Sequence, residues 1–262
     1  MHQAPQGKSF RSDGASAQQG ALIINADDWG IDRATTDRIL ECAVRHRISS
    51  ASGMVFMEDS ERAADLAREH GVDIGLHLNL TEALSGRGVS ARLKEHHGRV
   101  ARFLLRHRFS QIVYHPGLAN SFEYVATAQL EEFQRMYGEA PQRIDGHRHM
   151  HLSENVLTAK LLPAGTLVRR NFWFAPGEKS WINRRYRSFV DSRLKRRHRL
   201  VDFLFSLVPL QMERLERIFS CGRHACVELE THPVNAEEFQ FLTSCEMAKL
   251  LRGLPIAPRF IA

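Results

Sequence analysis

The sequence predicts an α/β protein, a TIM-barrel-like (β/α) barrel of mostly parallel strands, and three observations carry that expectation. Short apolar runs alternate with helix-length segments along the chain, the pattern of right-handed βαβ units feeding a parallel sheet. Residues that can do chemistry gather at the carboxyl ends of four separate runs: Asp27 and Asp28, His77 and Asn79, Asp145 and His147, Thr231 and His232. Parallel α/β folds bind ligands at those ends, and four converging ends suit a barrel better than a two-strand crevice. Finally, neither G-x-G-x-x-G nor G-x-x-x-x-G-K-[ST] occurs, so nothing points to a dinucleotide or nucleoside triphosphate sheet.

The elements follow in order. "ALIINA" is a strand and "RATTDRILECAVRHR" a helix; "SSASGMVF" is strand-like, and "DSERAADLAREHG" is a helix capped at Asp59 or Ser60 and stopped at Gly71. "VDIGLHLNLT" alternates apolar and polar, and "SFEYVATAQLEEFQRMYG" is a long helix ending at Gly138. "QRIDGH" is a short strand, "SENVLTAKLL" a helix opening at Ser153, and "GTLVRR" another strand. A basic helical insertion is expected near 182–219, ending in an apolar helix-like run from Leu200 to Phe219. "ACVELETH" then gives a late strand and "SCEMAKLLRG" a closing helix.

At 262 residues and 43% hydrophobic content, the chain can bury the core of one catalytic-sized domain, expected over 21–262. Residues 1–20 are polar and rich in Gly, Ser and Gln, and are expected to be a disordered tail. No apolar run approaches a membrane span, and Cys42, Cys221, Cys226 and Cys245 have no framework spacing, so a reducing cytoplasm is expected. The net charge of +6 is local: Arg184 to Arg199 holds eight Lys/Arg and one acid, leaving about −1 for the rest. Nucleic-acid binding is therefore not expected; the stretch reads as a solvated helix face, or as a peripheral contact with an anionic membrane surface.

Four motifs carry the chemistry. "NADDWG" sets Asp27 and Asp28 side by side at a strand end, where two carboxylates need a cation, a proton or donors to offset their repulsion. Capping the helix near Ile31 is the plain alternative. In "GLHLNLT" His77 and Asn79 share the polar face of a strand. In "DGHRHMH" the histidines 147, 149 and 151 recur every second residue and would share one side if extended. Imidazole with carboxylate suits a divalent ion of the zinc type. "ELETHP" holds His232 before a proline, which favours extended backbone there and leaves a histidine for acid–base work. One aspartate and two histidines on an ion would leave the other aspartate free as a base.

"LIINADDWG", "IGLHLNLTE", "RIDGHRHMHL" and "ETHP" followed by "FLTS" resemble, in order from about residue 21 to 250, the signatures of the YdjC-like carbohydrate deacetylases. That family includes chitooligosaccharide deacetylase and hopanoid-biosynthesis-associated deacetylases. The resemblance implies a TIM-barrel-like fold and a hydrolase removing acetyl from an N-acetylated amino sugar, oligosaccharide or glycoconjugate. It implies one divalent ion, Mg2+ or Zn2+, on Asp28, His77 and His147, with Asp27 as base; His232 is the candidate acid. Asn79, Trp29 and Trp173 are candidate substrate contacts, and a homodimer is open. The chain departs from the family pattern at Trp29, Arg148 and "HPV", which bears on the substrate-facing shell rather than the ligands. The other readings are a metal-dependent hydrolase of another bond, such as a phosphoester, and a noncatalytic sugar- or lipid-binding relative.

Overall fold

A computed structural model describes residues 20–175 and 177–260, so the expected tail falls, up to residue 19, outside the described residues. In chain order the elements are β1 (Ala21–Trp29), α1 (Arg33–Val44), β2 (Ser50–Gly53), α2 (Ser60–His70), β3 (Ile74–Leu78), α3 (Ala91–Arg106), α4 (Ala119–Tyr137), β4 (Arg143–Gly146), α5 (Glu154–Thr158), β5 (Leu167–Val168), α6 (Trp181–Lys195), β6 (Phe203–Ser206), α7 (Met212–Cys221), β7 (Cys226–Thr231), α8 (Ala236–Thr243) and α9 (Cys245–Leu251). The strands form one sheet in the order β5-β4-β3-β2-β1-β7-β6, and every pairing is parallel. It curls as a half-barrel, as the expected fold class requires. A parallel bridge from Leu167 to Arg199 brings the approach to β6 alongside β5.

Period-two alternation sorts each strand between two environments. On β1, Leu22, Ile24 and Ala26 join the apolar layer shared with the helices, as do Val227 and Leu229 on β7. Leu76, Leu78, Ile144 and Val168 do the same on the other half of the sheet, against Phe122, Val125 and Phe133 of α4. Most intervening residues, which turn into the curl, are polar: Asn25, Asp27, Ser52, His77, Asp145 and Glu228 are all buried and joined by hydrogen bonds or ion pairs, while Ile23 and Cys226 form a small apolar cluster with Val201 and Ala257. The helices thus hold most of the apolar core outside the sheet, while charged and polar groups fill the inside toward the strand ends.

Local signals account for the helix ends. Gly71 and Gly138 take left-handed backbone at the stops of α2 and α4. Asp32, not Asp27 or Asp28, caps α1 by accepting from the Thr35 N–H at 2.7 Å, which leaves the pair free of that duty. One expectation needs correction, and one helix had no counterpart in the sequence reading. The run from 200 to 219 is not a continuous helix: β6 pairs with β7 inside it, and α7 begins only after the cis Val208–Pro209 bond. α3 was not foreseen, although Ser90 caps it and Leu93, Val100 and Leu104 repeat at helical spacing on its buried side.

Gly75 lies on the inner face of β3, and a Cβ there would come within 2.7 Å of Arg143 Nε, deep in the curl. Gly75→Ala is expected to destabilise the protein by about 1–3 kcal/mol through overpacking, seen as a lower urea midpoint at unchanged m-value.

Candidate active site at the strand ends

The site begins with a break in alternation. Asp27 points into the curl, so a regular strand would send Asp28 to the opposite face. Instead the β1–β2 register shifts between Ala26 and Trp29, and Asp28 takes a left-handed φ of 71°. This irregularity re-aims the second carboxylate to the mouth of the sheet, and such strain is tolerated where the surroundings enforce it.

Asp28 meets two histidines there. His147 Nδ1 lies 2.9 Å from Asp28 Oδ1, and His77 Nε2 lies 3.3 Å from the same oxygen. His77 turns its Nδ1 to Asp145 Oδ1 at 2.7 Å. That carboxylate fixes the ring's orientation and, in the neutral imidazole, leaves the Nε2 lone pair facing Asp28, the support that metal-binding histidines use. Burial opposes ionisation of Asp28, but His147 and His77 outweigh it and hold its carboxyl well below the usual carboxylate range. Burial likewise opposes protonation of His77, yet Asp27 and Asp145 prevail and raise its pKa well above the ordinary value.

Asp27 has a different partner. Arg169, fully buried just past β5, grips it with Nη1 on Oδ2 at 2.6 Å and Nη2 on Oδ1 at 2.7 Å. Asn25 Nδ2 adds a third donor to Oδ1 at 2.8 Å. The same guanidinium reaches Asp145 at 2.9 Å, Glu228 at 2.7 Å and Glu230 at 3.2 Å. Burial disfavours charge on Arg169, but Asp145, Asp27 and Glu228 overcome it. Burial, reinforced by Asp27, drives the Glu230 pKa well above the ordinary value.

Among the described residues, three clusters bring ligand atoms within 4.8 Å of one another: Asp28 with His77 and His147, Asp27 with His77 and Asp145, and Asp27 with Glu230 and His232. The last two share carboxylates with Arg169, whose positive charge competes directly with a cation. Asp28, His77 and His147 have no guanidinium among them and bring the Asp-His-His donors that suit a divalent ion. They are the residues that fit one.

The remaining expected residues fall in varied places. His232 is half-buried, its backbone N–H donating to Glu238, and its ring groups with Asp27 and Glu230. Asn79 is fully buried, its Oδ1 accepting from the Thr81 and Glu82 N–H groups and its Nδ2 donating to Glu82 O, so it builds the turn after β3. Trp29 has no exposed surface and packs in the core, offering no face to a sugar here. Trp173 is half-buried between Phe203 and Phe205. The histidine motif is not extended: it forms a 3-10 turn over His147–Leu152 in which Arg148 and His149 adopt positive φ. His147 therefore stays at the site, His149 approaches Glu230 at 3.3 Å, and His151 is sealed beneath, its Nε2 2.9 Å from Arg169 O.

Arg169, Glu228 and Glu230 were missed from the sequence, and Asp145 was placed at a strand end without a role. For the acids the signal was the alternation already used for His77: "RID" and "VELET" place a charge at every second position of a buried strand, whereas "LVRR" carries no such signal for Arg169.

Fold and site together define an α/β barrel-type protein carrying an Asp-His-His cluster beside an arginine-held aspartate at the strand ends. The model of the YdjC-like protein family matches residues 21–252, and the chain belongs to that family. It is 33% identical over 144 residues to a human carbohydrate deacetylase, covering 52% of this chain and 42% of that protein. It is 29% identical over 140 residues to a chitooligosaccharide deacetylase of Serratia marcescens, covering 52% of each. The chain spans about half the length of these curated relatives. Its fold is similar to a solved protein of Enterococcus faecalis V583, described as a candidate cellobiose-phosphate cleavage protein, with a TM-score of 0.63 at 18% identity, covering 91% of this chain and 96% of that one.

Two outcomes are expected. Replacing Arg169 by Met leaves Asp27, Asp145 and Glu228 buried without their counter-charge and should cost about 3–5 kcal/mol, measured by urea unfolding. His151 is held neutral by burial, its pKa lowered to about 4. The unfolded state therefore takes up a proton below its ordinary value near 6.5 that the folded state refuses. Stability present above pH 6.5 should be lost as the pH falls toward 4, by about 3 kcal/mol from this group, read from urea midpoints across that window.

Proposed function

We propose that the protein is a metal-dependent deacetylase that hydrolyses the acetamide of an N-acetylated amino sugar, oligosaccharide or glycoconjugate. The observation that carries this reading is the division between the two adjacent aspartates: Asp28 converges with His77 and His147, while Asp27 beside it is held by Arg169. The family and the relatives named carbohydrate deacetylase and chitooligosaccharide deacetylase support the substrate class.

Asp28, His77 and His147 would hold one divalent ion, Mg2+ or Zn2+, which supplies Lewis acidity for the acetyl carbonyl and lowers the pKa of water. Asp27 is the base. Arg169 and Asn25 fix its carboxylate in one orientation, with one lone pair left on Oδ2 to take the proton of the attacking water. His232 donates a proton to the departing amine nitrogen, so that the amide C–N bond breaks to acetate and free amine. Asp145 keeps the His77 ring in place through Nδ1. Among the described residues Cys42, Cys221, Cys226 and Cys245 form no disulfide, which suits a reducing cytoplasm.

Acetate release from N-acetylglucosamine oligomers by metal-loaded protein tests the reaction, with phosphoester substrates assayed in parallel. Asp27→Asn is expected to lower the rate about 100- to 10,000-fold at unchanged metal content. His77→Ala or His147→Ala should abolish stoichiometric metal binding, followed by calorimetry. Phosphoester cleavage without acetate release, or full activity in Asp27→Asn, would overturn the reading.

A further inference from the structure

The helix α6 is anchored at one end and bare at the other. Val190 and Leu194 are buried in the apolar layer, and Asp191 ties the helix to the segment after β5 by accepting from the Asn171 N–H at 3.0 Å and from Arg170 Nη2 at 2.8 Å. Arg193 adds an ion pair to Glu154 of α5 at 2.9 Å. The first turns have no such cover: Trp181 is 68% exposed, Ile182 64%, Phe189 60% and Tyr186 37%.

These four residues share a stripe with Arg185, and exposed Lys195 and Arg196 continue it toward the helix end. From 181 to 199 Asp191 is the sole acid, and it is buried and paired, so the outward face of α6 presents cations and apolar rings without a counter-charge of its own. Exposed large apolar residues among Lys and Arg on one helix face are the composition of an interfacial helix that lies in the headgroup layer of an anionic bilayer.

The position of α6 adds a second argument. It follows β5, so its first residues stand at the carboxyl end of the sheet, the end that carries the candidate site. The connecting segment is aromatic: Phe172 meets the His149 ring edge-on at 4.7 Å, Phe174 lies 6.4 Å from Phe172, and Arg187 of α6 caps Phe174 with its guanidinium 5.1 Å from the ring. A row of rings therefore runs from the site to the exposed turns of α6.

We propose that the outward face of α6, through Trp181, Ile182, Tyr186 and Phe189 with Arg185, Lys195 and Arg196, docks the protein on an anionic phospholipid surface and turns the strand-end site toward it. Docking needs no assumption about the reaction, so loss of acetate release would leave it standing. No helix of the described residues is long and apolar enough to cross a membrane, and the contact is a peripheral one.

The test uses the full chain with vesicles of phosphatidylcholine alone and of phosphatidylcholine mixed equally with phosphatidylglycerol. The protein should sediment with the mixed vesicles only, and added salt should release it. Tryptophan emission should shift to the blue on binding and be quenched by bromine-labelled lipid, and Trp181→Phe should remove both signals while binding is kept, because Trp29 is buried and Trp173 is packed against Phe203 and Phe205. Exchanging Trp181, Ile182 and Phe189 for Ser, all exposed and thus tolerated by the fold, should reduce binding at least tenfold. Each cation removed among Arg185, Lys195 and Arg196 should weaken it about fivefold. Absence of binding to the mixed vesicles, or binding unchanged in these variants, overturns the proposal. Equal capture by single-stranded RNA without the emission change, or a dimer abolished by the serine variants in place of vesicle binding, would also overturn it.

Discussion

Arg169 is the constraint on which the rest of the interior depends. Its guanidinium stands between β4 and the adjacent strands β1 and β7 inside the curl, within ion-pair distance of Asp27, Asp145, Glu228 and Glu230. Removing that many charges from water costs several kcal/mol per ion, and only short, multiply bonded contacts offset the cost. Arg169 supplies such contacts in a planar fork that lysine could not reproduce. The result is more than cohesion. By occupying Asp27 and Asp145, the guanidinium repels a cation from them and leaves Asp28, one residue along, as the carboxylate without a fixed positive neighbour.

Even so, the charges do not balance inside the curl. Among the described residues Arg169 is the guanidinium paired with Asp27, Asp145, Glu228 and Glu230, while Arg143 pairs with Asp73, and the protein compensates by raising the proton affinity of Glu228, Glu230 and His77. A divalent cation at Asp28 would relieve the same excess, in exchange for the proton on His77. Electrostatics, local strain at Asp28 and the tethering of His77 by Asp145 all favour the same place.

Much of this was legible in the sequence, and the limits have physical causes. Strand–helix alternation revealed the parallel α/β architecture because each strand needs an apolar outer face against its helix. The strand pattern placed Asp27, Asp28, His77 and His147 at carboxyl ends, where chemistry at parallel strands collects; the choice of Asp28, His77 and His147 as one group came from the resemblance to the YdjC-like deacetylases. Arg169 was not, because "LVRR" at the end of a two-residue strand looks like an ordinary surface exit; only the curl reveals that its four carboxylate partners, distant in sequence, surround it. Trp29 followed "ADD" so closely that its ring was placed with the substrate, but the same irregularity that turns Asp28 to the mouth leaves Trp29 in the core. The histidine run offered a period of two, yet the chain leaves β4 at Gly146 and tightens into a turn, so the three rings separate into three environments.

The central claim is that two adjacent aspartates have separate duties, one holding a cation and the other held by Arg169. Anomalous diffraction at the metal edge from crystals grown with Zn2+ measures this most directly. The account predicts one peak coordinated by Asp28, His77 and His147, with Asp27 uncoordinated and still paired to Arg169. A peak bound through Asp27 with Asp145 or Glu230, with Arg169 displaced, would contradict it.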